Sequence, residues 1–206
     1  YKITISNCDD YPGLIQNGNY KVENDNTITI EEPSYSSIYI ENINLMSDGS
    51  SLSQNGGWLV QGYSYYQSFT NIIQNCIISA DICQKSNYNN GGIIGAYCVN
   101  QGVGKIDVNL LNYNLKIESC SFIGDIGSAD NNSGAGGGLV GYGSCTNGSY
   151  IIINNCNSGN WSTPNKNSIY TKGGGLVSSG TVTNSSKMEI NESFNTMNII
   201  GSSNGL

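Results

Sequence analysis

Seven cysteines, at positions 8, 76, 83, 98, 120, 145 and 156, are the side chains here best suited to covalent or metal chemistry. An odd total leaves at least one thiol free or paired outside the segment. Histidine is absent and no Cys-x-x-Cys pair occurs, so the usual zinc-ligand spacings are missing. Cys98 and Cys145 each follow a glycine-rich run by a few residues, which makes a Cys98–Cys145 disulfide an expectation. Cys76, Cys120 and Cys156 each close an Ile-x-Asn/Ser-Cys stretch. Their shared position predicts an inward ladder of small apolar side chains.

Carboxylates are the next candidates. A glycosidase needs two of them about 5 to 10 Å apart across the scissile bond. Asp81, Asp107, Glu118 and Asp125 are the residues to consider. Asp81 and Asp125 each lie five residues beyond a ladder cysteine, so they are expected to stack, at a turn or as a weak calcium site. A lyase base is hard to find without Arg or His, and triads built on His are excluded. No Gly-Lys-Ser/Thr follows the glycine runs, so they make no phosphate loop. Neither an enzyme nor a resident cofactor is expected.

Five Asn-x-Ser/Thr sequons, at Asn131, Asn147, Asn160, Asn184 and Asn191, are candidate glycosylation sites. In a chain this rich in Asn and Ser some arise from composition alone. Most fall in turn-like stretches, where a glycan projects into water. Tyr63, Tyr65, Tyr66, Tyr97 and Tyr142 gather near the glycine runs. They suit stacking on one another along a repeat, or on sugar rings.

Charge narrows the partners. Eight lysines and no arginine stand against fifteen carboxylates, for a net charge of −7. Nucleic-acid binding relies on clustered cations, so this balance argues against it. No apolar run approaches the roughly 18 residues of a membrane-spanning helix. Charged residues are only 11% of the chain, well below the usual share, yet disorder normally requires high charge. A folded chain is expected.

The elements that must position these side chains are written in a repeat. Gly136-Gly137-Gly138-Leu139-Val140-Gly141 is echoed by Gly91-Gly92-Ile93-Ile94-Gly95, by Gly173-Gly174-Gly175-Leu176-Val177 and, more loosely, by Gly56-Gly57-Trp58-Leu59-Val60. Aligned on Gly57, Gly92, Gly138 and Gly175, taken as the repeat corners, the steps are 35, 46 and 37 residues. The steps from Cys76 to Cys120, Cys156 and Ser193 are 44, 36 and 37. Two landmarks that keep step mark a repeat architecture. Short strands between Gly, Asn and Ser turns cannot each close a core, but stacked in parallel they bury one another. The expected fold is all-β, a right-handed parallel β-helix with about two coils per repeat of 35 to 46 residues. At roughly 18 to 23 residues per coil, about ten coils near 4.8 Å apart predict a rod about 45 to 50 Å long. An antiparallel β-sandwich is the competing fold. Residues 1–55 read as irregular N-terminal coils, with a loop from Asp9 to Asn19. Residues 56–206 carry the repeats, expected to continue beyond 206.

The units Gly138-Leu139-Val140-Gly141, Gly92-Ile93-Ile94-Gly95 and Gly175-Leu176-Val177-Ser178, each followed by an Ile-x-Asn-Cys-like strand, resemble the GLUG repeat. That motif occurs in large secreted or surface-attached β-helical proteins. The resemblance covers roughly residues 55–206 and departs at Ser178, where the last glycine is missing. It implies an extracellular or surface location. Together with the repeat it suggests a structural role in a filament, fibre or adhesin, with self or homologous subunits as partners. Carbohydrate binding on a Tyr-lined face, or a polysaccharide-degrading enzyme, is the alternative expectation.

Overall fold

The computed structural model describes the chain apart from residues 16–18, 23–27, 33–36, 64–69, 86–87, 101–112, 128–133, 161, 163–165, 171–172, 179–181, 183–184 and 201–206. Among the described residues it is all-β, with no helix. Alternation of apolar and polar residues sets which side of each strand is buried. In β9 (Leu115–Glu118), Leu115 and Ile117 point inward while Lys116 and Glu118 face out.

Two ladders carry the architecture. The first places β1 (Lys2–Ser6), β5 (Asn44–Asp48), β7 (Ile77–Ser79), β10 (Ser121–Ile123), β13 (Asn157–Ser158) and β16 (Phe194–Asn195) side by side. The second orders β4 (Tyr39–Glu41), β6 (Asn71–Gln74), β9, β12 (Tyr150–Asn154) and β15 (Lys187–Asn191). Every pairing in both is parallel. Smaller parallel pairs join β8 (Val99–Asn100) to β11 (Cys145–Thr146), and β14 (Ser168–Ile169) to β17 (Asn198–Ile199). One antiparallel pair, β2 (Asn19–Val22) with β3 (Ile28–Glu32), stands apart. The sandwich expectation fails on this parallel pairing.

Each strand's neighbour lies one whole repeat away. Asn71 pairs with Leu115, and Ser121 with both Ile77 and Asn157. One repeat therefore supplies one rung, which corrects the expectation of two coils per repeat. Six strands in the longer ladder span about 24 Å at roughly 4.8 Å each, half the expected length. The early residues join in: Tyr11 bridges Leu52, and Ile15 bridges Val60, from within the stretch expected to be a loop.

The inward columns are apolar and continuous. Ile40, Ile73, Ile117 and Ile153 form one, and Leu45, Ile78 and Phe122 another, all buried. Each such side chain withdrawn from water contributes on the order of 2 kcal/mol. Between the ladders the chain turns through the left-handed region at Asn42, Asn75, Ser119, Asn155 and Glu192, with φ between 49° and 58°. Asn tolerates that conformation because its side chain bonds locally.

The glycine runs form a third column, in which Gly57, Gly91, Gly137 and Gly174 bridge in turn. The corner alignment on Gly57, Gly92, Gly138 and Gly175 is thus one residue out of step at Gly57. Trp58 occupies the position of Gly92 and Gly138. Side-chain volume explains the exchange. A Cβ on Gly92 would meet Phe122 Cδ2 at 2.2 Å, whereas the rung of Trp58 is filled by the fully buried indole itself. The Ile93 carbonyl accepts the N–H groups of both Leu59 and Val60, and the Leu139 carbonyl those of Ile93 and Ile94. One carbonyl serving two donors is the geometry behind the recurring apolar pair after the glycines.

Candidate functional site

The cysteine column is the most regular chemical feature. Cys76, Cys120 and Cys156 follow the left-handed corner residue in successive rungs and are buried. The N–H of Cys76 donates to Cys120 Sγ at 3.4 Å, and the N–H of Cys120 to Cys156 Sγ at 3.4 Å. In the last rung the N–H of Cys156 donates to Ser193 Oγ at 3.0 Å. Each thiol in turn lies 3.2 Å from the carbonyl two residues before it. The sulfurs therefore complete the backbone hydrogen bonding of a corner. Hydrogen bonding to the thiols on either side, together with burial, holds Cys120 well above the ordinary thiol range. Such a thiol is a poor nucleophile.

The expected Cys98–Cys145 disulfide is not seen, and none of the seven cysteines is in a disulfide. Register is the reason. Cys145 pairs with Val99, while the N–H of Cys98 donates to Ser144 Oγ at 3.3 Å, so the two cysteines are offset by one residue. Cys98 Sγ lies 3.1 Å from the Gly95 carbonyl and Cys145 Sγ 3.2 Å from that of Lys187. Burial raises the Cys83 and Cys145 thiols to about 12.

Asp81 and Asp125 do stack. Asp125 donates its N–H to Asp81 Oδ1 at 2.7 Å, and Ser168 donates its N–H to Asp125 Oδ1 at 2.7 Å. Each carboxylate caps the next rung's backbone, a structural use. Withdrawal from water, aided by the Asp125 charge, raises the Asp81 carboxyl above its ordinary range despite the Asp125 N–H. Glu118 is held by Lys116 at 2.8 Å and by Asn154 Nδ2 at 3.2 Å, which lowers it. Asp107 lies outside the described residues. Among the described residues no group of three or more His, Cys, Asp and Glu side chains is placed to hold a metal ion.

The tyrosines pack on one another. Tyr63 and Tyr97 stack with centroids 5.0 Å apart, and Tyr142 meets Tyr97 edge-on at 5.7 Å. Gly143 makes this possible, because a Cβ there would lie 2.7 Å from the Tyr97 ring. Tyr65 and Tyr66 lie outside the described residues, as do the sequons at Asn131 and Asn184. Of the others, Asn191 is exposed on β15, and Asn147 sits half-buried at a left-handed corner with φ 53°. Asn160 Oδ1 accepts the N–H of Ser162 at 3.0 Å.

Two features escaped the sequence reading. Asn90 is fully buried and donates through Nδ2 to the carbonyls of Ser53 and Gly56, at 2.7 and 3.1 Å. It pins one glycine run to the rung before it. The second is a polar groove of about 750 Å³ on the flank of the first ladder, lined in part by Asp9, Ser47, Ser79, Asp81, Lys85 and Asn167. Its residues come from separate rungs, so no linear pattern announces the groove as a whole.

Among the described strands, the rung of β15 and β16 differs from those inside. Ile190 continues the column of Ile73, Ile117 and Ile153, which are 0% exposed, yet is itself 46% exposed. Phe194 and Ile199 are 49% and 64% exposed. Compared with protein-family models, curated proteins and solved structures, the chain matches none.

Proposed function

We propose that this chain is a structural segment, a right-handed parallel β-helix that serves in an extracellular or surface filament, fibre or adhesin by stacking end to end on self or homologous subunits. The observation that carries this reading is the pair of all-parallel ladders in which each strand pairs with one a whole repeat away, over continuous buried apolar columns. On β15, Ile190 of one such column is 46% exposed, beside Phe194 and Ile199. In each ladder β15 and β16 are hydrogen-bonded on one side only among the described strands. Unpaired parallel edges with apolar side chains next to them are templates for another strand. A head-to-tail contact of this kind does not close on itself, so it propagates as a fibre. The hand follows from the strong preference of parallel crossovers.

Buried thiols and capped carboxylates fit a scaffold, since the stack already uses the groups an enzyme would need free. Exposed Asn191 on β15, and the sequons more generally, suit glycans that shield the flank, consistent with a surface location.

The test is sedimentation velocity with negative-stain microscopy of the chain, beside the double variant Ile190→Lys/Phe194→Asp. Concentration-dependent rods in the parent and monomers in the variant are expected. A parent that stays monomeric at every accessible concentration, or a variant that assembles equally well, sinks the reading.

A further inference from the structure

Val60, Ile94 and Val140 bridge one another in successive rungs. Three residues beyond each stand Tyr63, Tyr97 and Gly143, all in the left-handed region with φ between 57° and 63°. Tyr63 donates its N–H to the Ala96 carbonyl at 3.0 Å, and Tyr97 donates its own to the Tyr142 carbonyl at 2.9 Å. Backbone bonding thus fixes the two tyrosines one rung apart, roughly 4.8 Å. Their rings follow, with centroids 5.0 Å apart and planes 15° from parallel. Tyr142 stands one residue before the equivalent position, and so meets Tyr97 at 82° instead. One edge of the Tyr97 ring rests on Gly143, where a Cβ would lie 2.7 Å from both Cδ1 and Cε1.

Two phenols held this way are the reactants of an oxidative coupling. A phenol that gives up one electron and one proton becomes a neutral phenoxyl radical, whose spin lies on oxygen and on the ring carbons, chiefly those beside and opposite the hydroxyl-bearing one. Two such radicals join carbon to carbon at the positions beside the oxygens. The ring hydrogens at the new bond then move to the oxygens as the phenols re-form. The pair loses two electrons and two protons in all. A haem peroxidase passes them to hydrogen peroxide, which becomes two molecules of water. Nearly parallel rings on equivalent positions bring the coupling carbons together. Holding two reactants in one geometry replaces encounter with an intramolecular step. Tyr1 and Tyr39 are more exposed, but among the described residues neither stacks on another tyrosine. Radicals there couple on meeting another chain, which dilution suppresses.

We propose that Tyr63 and Tyr97 are a modification site, at which a haem peroxidase with hydrogen peroxide forms a dityrosine bond that ties two successive rungs together.

The experiment treats the dilute native chain with a haem peroxidase and limiting hydrogen peroxide, beside Tyr63→Phe, Tyr97→Phe and Tyr142→Phe. Phenylalanine keeps the ring and its stacking, and circular dichroism confirms that each variant is folded. Dityrosine fluorescence of the monomer band on a denaturing gel, intact mass and peptide mapping are the readouts. Expected is a monomer lighter by two hydrogens, whose digest holds a cross-linked pair of peptides joined through Tyr63 and Tyr97. Tyr63→Phe and Tyr97→Phe are expected to lose that fluorescence, and Tyr142→Phe to retain it. A monomer band without dityrosine overturns the proposal. So does a cross-link through other tyrosines in place of this pair, fluorescence unchanged by Tyr97→Phe, or its loss in Tyr142→Phe. The bond forms within one chain, so the result stands or falls separately from assembly.

Discussion

The backbone N–H of Cys76 points at the sulfur of Cys120, 3.4 Å away, and Cys120 repeats the contact toward Cys156. Sulfur here acts as the acceptor that a corner amide needs, because the left-handed residue before it breaks the regular ladder. Cys120→Ala removes that acceptor and leaves a void, so it is expected to cost about 2 to 3 kcal/mol. Cys120→Ser is expected to cost about 1 kcal/mol or less, since Ser193 fills the same role in the last rung with Oγ bonds at 3.0 and 2.7 Å. Denaturant unfolding of the two variants measures the gap; equal costs would mean that the sulfur's acceptor role is idle.

The glycines should divide by what surrounds them rather than by motif. At Gly92 a Cβ would meet the Gly138 carbonyl at 2.0 Å, and neither backbone can retreat without opening the bridge column. Gly92→Ala is expected to cost about 3 kcal/mol. Gly49 has φ +67°, but its nearest neighbour is Asn7 Oδ1 at 3.3 Å. Gly49→Ala should cost only the left-handed penalty, about 1 to 2 kcal/mol. Thermal melts of both, with the order reversed, would count against the close-approach account.

What was legible follows from period. Strands, glycine runs and the Cys76–Cys120–Cys156 column repeat at intervals that survive varying loop lengths, so spacing alone exposed them. Rung count was not legible, because one landmark per repeat is compatible with one circuit or two until pairing partners are known. The Cys98–Cys145 pairing failed for a related reason. Position relative to a motif is blind to a one-residue offset, and in a strand one residue changes the partner. Gly13-Leu14-Ile15 was readable as a further echo, but Pro12 and the turn residues around it disguised it as loop. The groove drew on four rungs and was beyond reach of any local pattern.

Glu192 is the odd member of the corner series. It holds φ 49° where three other rungs place Asn. Acidic side chains with a longer stem gain less from local backbone bonding, so the left-handed cost is less offset. Glu192→Asn is expected to stabilise the chain by about 0.5 to 1 kcal/mol. A loss of stability in urea would show that the Glu192 carboxylate has a use of its own.

Asp81 should leave a signature in pH. Its carboxyl is raised above the ordinary 3.8 chiefly by withdrawal from water. The folded chain therefore holds that proton more tightly than the unfolded one, and stability declines as pH rises from 3.8 through the raised value, then levels. Asp81→Asn keeps an acceptor for the Asp125 N–H and has no proton to lose. Against the parent it should gain in melting midpoint as pH rises above about 4 and hold that gain to neutrality. A difference that is flat across this window, or that runs the other way, removes the linkage.

Thiol access offers the most direct reading of the stack. Cys8 is half-buried, whereas the other six cysteines are buried and none is in a disulfide. In the columns, reaching a sulfur means parting two rungs, which requires opening on the scale of the whole unit and not of a side chain. Cys83 and Cys145 are further protected because burial holds them as thiols, at about 12, and the thiolate is the reactive form. A soluble maleimide is therefore expected to add once per native chain at neutral pH, at Cys8, and seven times after denaturation without reductant. Peptide mapping identifies the site and intact mass gives the count. Five additions after denaturation would reveal a disulfide. Rapid native labelling at Cys76, Cys120 or Cys156 would mean that the rungs part easily and do not form a continuous core.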